Sequence, residues 1–133
     1  MPYVSRRNAV VLTCAVSAGI HAALVPDHLE EGTGAAIGFA AAAVLLGALA
    51  VVLTRGPSRL ALFATAAVLA GLIVSYLLVL TIGLPVLHPD VEPVDGLALV
   101  TKGVELLGLV AALALAGPPA LPTTPVTPKG RLT

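Results

Sequence analysis

The chain has 133 residues, 58% of them hydrophobic and 11% charged, with a formal net charge of zero. Globular domains carry about 25% charged residues, so this composition excludes an ordinary soluble fold and describes a membrane protein. A neutral balance with 3% aromatic residues also leaves neither a basic surface nor a stacking platform, so nucleic acid is not an expected partner. The single cysteine, Cys14, can build no disulfide framework or thiolate metal cage and reads as a small buried apolar residue.

In chain order, a short polar start with Arg6 and Arg7 leads into the apolar run 9–25. Ser5-Arg6-Arg7 before such a run resembles a twin-arginine export signal. The run nevertheless continues into His21 and Pro26 without a tidy small-x-small site, so the expectation is an uncleaved first span. Residues 27–34 are expected to form a polar loop and 35–53 a second span, in which Gly34-xxx-Gly38 and Ala40 to Ala43 would let helix backbones approach closely. A tight turn follows at 54–59, broken by Gly56-Pro57, with Ser58 as a candidate N-cap.

The third span is 60–84 and the fourth 97–116. Between them Pro85, Pro89 and Pro93 punctuate a polar loop that cannot be helical throughout. Blocks of about 17 to 25 residues are long enough to cross a hydrocarbon core of about 30 Å. The expectation is therefore an all-α integral membrane four-helix bundle, one domain over 1–117 with mainly antiparallel neighbours. A Pro/Thr-rich tail, 118–133, reads as disordered or polyproline-like.

Four spans sort the charges. Of seven basic residues, Arg6, Arg7, Arg55, Arg59, Lys129 and Arg131 fall on one side; of seven acidic ones, Asp27, Glu30, Glu31, Asp90, Glu92 and Asp95 fall on the other. The positive-inside rule then predicts N-in/C-in topology, with a cytoplasmic tail and both acidic loops outside.

All three histidines, His21, His28 and His88, lie in the outer half or the outer loops. Imidazole and carboxylate ligands suit zinc or copper(II). On a continuous helix His21 and His28 would share nearly one face but stand about 10 Å apart along the axis, too far for two bonds of about 2 Å to one metal. If Pro26 instead opens a new turn, His28 and Glu31 could converge, joined by His88, Asp90 or Glu92. The alternative is a solvated acidic cap in the first turn of a short interfacial helix. On this reading Pro26 divides the stretch 21–31 into two separate sites.

Inside the fourth span, Lys102 lies about 10 Å and Glu105 about 15 Å from the outer surface at Asp95. A lone ionised side chain near the bilayer centre costs roughly 2.5 to 3.5 kcal/mol on insertion scales, so Glu105 needs a partner or a proton. Lys102, at i−3, is the first expected partner. His21, about 7 Å deep at 1.5 Å per residue, makes a His21-Lys102-Glu105 cluster the candidate polar site, with Ser17 one turn deeper on the same face. Such a cluster is either a functional site or an ion pair that fixes helix register. The inner halves offer only Thr13, Cys14, Ser17 and Thr65, too little for a polar path through one monomer.

Two segments, HAALVPDHLEE at 21–31 and EPVDGLALVTKGVELLG at 92–108, resemble those of small four-span membrane proteins of high-GC Gram-positive bacteria. The resemblance implies the fold and a bacterial plasma (inner) membrane location; no activity is established for that group, and it implies no catalytic residue.

The leading functional expectation is a non-enzymatic accessory or interaction protein, with the lipid bilayer and a membrane protein partner or a second copy as its neighbours. Second is an extracytoplasmic zinc- or copper(II)-binding protein using His28, Glu31, His88, Asp90 and Glu92. Third is a small transporter or proton-linked component using His21, Lys102 and Glu105. An enzyme is not expected, because the chain has no nucleophile elbow, phosphate loop or HExxH motif.

Overall fold

A computed structural model describes residues 3–84, 91 and 93–117, without the side chains of Tyr3 and Glu31. Among these residues lie four helices, α1 Tyr3–Glu31, α2 Thr33–Arg55, α3 Arg59–Thr81 and α4 Gly96–Ala116. Their 29, 23, 23 and 21 residues correspond to roughly 44, 35, 35 and 32 Å at 1.5 Å per residue, and each is long and apolar enough to cross a membrane. Helices are the form such sequences take in lipid, because every backbone N–H and C=O is then satisfied within its own segment. The tail at 118–133 lies outside the described residues.

Local chemistry marks the ends. The Ser58 hydroxyl accepts from the Ala61 N–H at 3.1 Å and the Asp95 carboxylate from the Ala98 N–H at 2.9 Å, so α3 and α4 each start on an N-cap. Helix α3 stops where Gly83 turns left-handed, with φ 72°, and donates its N–H to the Leu78 carbonyl at 2.9 Å.

The expected loop at 27–34 does not form. Helix α1 runs on through Pro26 to Glu31, and Gly32 alone separates it from α2. A proline inside a helix removes one hydrogen bond and costs about 3 kcal/mol or more. Tertiary contact offsets that cost here: beyond Pro26 the His28 ring stacks on Phe39 of α2, with centroids 3.9 Å apart, and its Nδ1 is 2.9 Å from the Leu24 carbonyl. The apolar run at 9–25 measures the greasy part of α1; the helical hydrogen bonding continues past it in both directions.

The helices form a square. Helix α1 packs on α2 and α4, and α3 packs on the same two, with no diagonal packing among the described residues. Along α1 and α4, Thr13 meets Gly108 and Ser17 meets Glu105, so the pair is antiparallel. With the short α1–α2 and α2–α3 connections this puts the start of α1, the turn between Arg55 and Arg59, and the end of α4 at one end. Asp27, Glu30 and Asp95 lie at the other.

The two ends are packed differently. Val10, Cys14, Leu46, Leu53, Leu62, Leu69 and Ala112 form a continuous apolar core at the arginine end. Helix α3 buries Ala61, Leu62, Thr65, Ala66 and Leu69, and none of its residues from Ala70 to Thr81. The helices are therefore closed at the arginine end and part toward the acidic end. Larger apolar residues such as Val44, Phe63, Leu77 and Leu107 face outward, where lipid would cover them.

Helices α1 and α4 approach closely at Gly108. A Cβ at Gly108 would collide with the Thr13 side chain, whereas one at Gly103 would meet nothing within 4 Å. Small residues at such crossings let backbones pack by dispersion, the main attraction between helices in lipid. Gly108→Ala should therefore destabilise the detergent-solubilised protein by roughly 1–3 kcal/mol, the cost of overpacking. Gly103→Ala should be neutral or stabilising, and thermal unfolding followed by circular dichroism compares the two.

Candidate functional site

Glu105 is the tenth residue of α4, close to its midpoint, and its side chain is fully buried. Both carboxylate oxygens are engaged. Oε1 accepts from the Ser17 hydroxyl of α1 at 2.8 Å, and Oε2 accepts from Lys102 Nζ, one turn earlier on α4, at 2.6 Å. Hydrogen bonds with an ionised partner are about twice as strong as neutral ones, and here they are made away from water.

His21 completes the group. It is buried, with Nδ1 2.8 Å from the Ser17 carbonyl and Nε2 3.8 Å from Glu105 Oε1. With Nδ1 donating to that carbonyl, a neutral ring presents its Nε2 lone pair to the carboxylate. A proton on either Nε2 or Glu105 would turn that approach into an attraction. The structure thus brings His21, Lys102 and Glu105 together, with Ser17 as the link between α1 and α4.

Above the cluster, toward the acidic end, the parting helices enclose a cavity of about 250 Å³. His21 and Lys102 lie on its wall, and Asp95, Leu84 and Pro93 line it from the connection between α3 and α4. Tyr76 lines it from α3: Lys102 Nζ is 5.7 Å from the centroid of its ring, and its buried hydroxyl has no hydrogen-bond partner among the described residues. The Ser75 and Thr101 hydroxyls, also on the wall, donate to the carbonyls of Gly71 and Leu97, four residues back.

The two histidines of α1 share this cavity. Because α1 does not break at Pro26, His21 and His28 remain on nearly one face, and Phe39 of α2 lies against both, with centroids 5.5 Å from His21 and 3.9 Å from His28. The expected division into an interior His21 site and a separate surface His28 site is replaced by one continuous wall. Of the five candidate metal ligands, only His28 is described with its side chain; His88, Asp90, Glu92 and the side chain of Glu31 lie outside the described residues.

Two residues of this site are not singled out by sequence reasoning. Phe39 is one of only two phenylalanines in the chain, and an aromatic ring inside a Gly/Ala-rich run was the available signal. Tyr76 reads from sequence as an interface or packing residue. Nothing in the spacing reveals that it faces Lys102 of the neighbouring helix α4.

The charges predict how substitutions combine. Removing one member of a buried ion pair strands the other and costs about 3–5 kcal/mol, whereas replacing both by apolar residues is often neutral or better. Lys102→Met and Glu105→Leu should each lower stability strongly, and the double variant should recover most of the loss. Thermal unfolding of the four proteins as a double-mutant cycle measures the coupling.

Compared with protein-family models, with characterised proteins and with solved structures, the chain matches none.

Proposed function

We propose that this protein is a non-enzymatic accessory or interaction subunit of a bacterial plasma membrane, N-in/C-in, that presents a one-sided pocket. The observation that carries the reading is the contrast between the two ends of the bundle. The polar cluster and its cavity stand above a packed apolar core of Val10, Cys14, Leu46, Leu53 and Leu69. A pocket closed at its inner end suits holding a ligand or partner group rather than passing one through. The orientation follows from Arg6, Arg7, Arg55 and Arg59 at the closed end.

A second reading, a proton-linked component, draws on the buried Glu105 and its neighbours Ser17, Lys102 and His21. The two part in a flux measurement. Protein reconstituted into liposomes with a pH gradient and a potassium diffusion potential is expected to carry no proton flux above that of protein-free liposomes. A flux that Glu105→Gln abolishes would replace the first reading by the second.

Orientation is checked in cells. In a Cys14→Ser background, Glu30→Cys should react with a membrane-impermeant maleimide in intact cells, and Ser58→Cys only after lysis. The reverse pattern would invert the topology.

A further inference from the structure

The cavity carries a ligand assignment of its own, which rests on the one-sided pocket proposed above. Two of its polar groups have donor capacity to spare. The Tyr76 hydroxyl is buried without a partner among the described residues. Lys102 spends one ammonium N–H on Glu105 and has three to give. A ligand with acceptor oxygens satisfies both groups at once.

Charge narrows the class. The positive Lys102 is matched at 2.6 Å by Glu105, and the other formal charge among the described lining residues is the negative Asp95. A carboxylate or phosphate would therefore meet no net positive charge, whereas a neutral carbonyl pays no such cost. The lining narrows it again, since the His28, Phe39 and Tyr76 rings from three helices all border the cavity and aromatic walls suit a ring. The volume, about 250 Å³, is below the roughly 300–1,000 Å³ of sites that enclose a drug-sized ligand, so it suits one ring with the remainder of the molecule outside. The side for the remainder is the seam of α2 and α3, the least closely packed of the adjacent pairs, where the outer half of α3 buries no residue.

We infer that the cavity binds the ring of a neutral, membrane-dissolved quinone. A ring carbonyl accepts from the Tyr76 hydroxyl and the Lys102 ammonium, and the isoprenoid tail leaves between α2 and α3 into lipid. The binding is a holding function and requires no electron transfer.

The chain has no tryptophan and two tyrosines, so in a Tyr3→Phe background the intrinsic fluorescence comes from Tyr76 alone. The full chain in phosphatidylcholine vesicles, which add no aromatic residue, is titrated with a naphthoquinone bearing one isoprenyl unit. The expected result is saturable quenching at one quinone per chain. Ala98→Phe, which fills the cavity from α4, should abolish the saturable phase; Val79→Phe fills it from α3 should the first variant fail to fold. In equilibrium dialysis Tyr76→Phe should weaken binding about three- to tenfold, the worth of one hydrogen bond. Quenching that rises linearly with quinone and is unchanged by both cavity-filling variants overturns the proposal. Displacement of the quinone by oleate at low occupancy, or saturable binding of oleate alone, overturns the assignment to a neutral ring and leaves the pocket standing. The flux measurement judges the one-sided reading separately, so the two failures are distinguishable.

Discussion

The buried carboxylate of Glu105 is the constraint around which the bundle is set. Near mid-membrane a carboxylate has no water to turn to, and its two oxygens must be met by protein. Lys102 meets one from the same helix, which any α4 could arrange for itself. Ser17 meets the other from α1 at 2.8 Å, and that bond fixes where α1 stands along α4. Gly108 lets the two backbones come close enough for it, since any side chain there would strike Thr13. One interhelical hydrogen bond in lipid is worth only about 0.6 to 2 kcal/mol. Its larger effect is on register, because Oε1 takes its hydrogen bond from α1 while the ion pair is made within α4.

This register also divides the molecule. Toward the arginine end, buried alanine, leucine and valine side chains pack into an apolar core. Toward the acidic end, α2 and α4 offer Ala35, Gly38, Ala42 and Ala98 to the cavity, small residues that cannot fill the space between four helices. Among the larger residues that line it, Phe39, Tyr76, His21 and Lys102 stand beside the aliphatic Leu24, Leu72 and Val79. A cavity with polar donors results, and its position follows from the distribution of residue volume along the helices. The continuation of α1 past Pro26 belongs to the same region, since the stacking of His28 on Phe39 holds the last turn of the helix in place.

Much of the site was legible before folding. Lys102 and Glu105 announce themselves as the only charges inside a span, and spacing alone makes them neighbours on one helix face. The depth of His21 below Pro26 matches that of Lys102, and Ser17 falls on the same face one turn deeper. What could not be read was the α2 and α3 side of the cavity. Phe39 and Tyr76 belong to helices with no polar pattern to mark an inward face, because nearly every residue on them is apolar. The loop expected at 27–34 failed for a related reason: a polar stretch after a proline looks like a loop until a ring on another helix is found to hold it.

Sequence by itself determined four apolar helices of membrane length, the sorting of basic and acidic residues to opposite ends, and the need of Glu105 for partners. These follow from hydropathy, the positive-inside rule and the cost of burying charge, all of which act along the chain. Only the tertiary structure decided which helices are neighbours, that α1 stays whole through Pro26, and that the outer half of the bundle opens into a cavity under Tyr76 and Phe39. Those features depend on side-chain volume and contact between segments far apart in sequence, which no periodicity within one helix encodes.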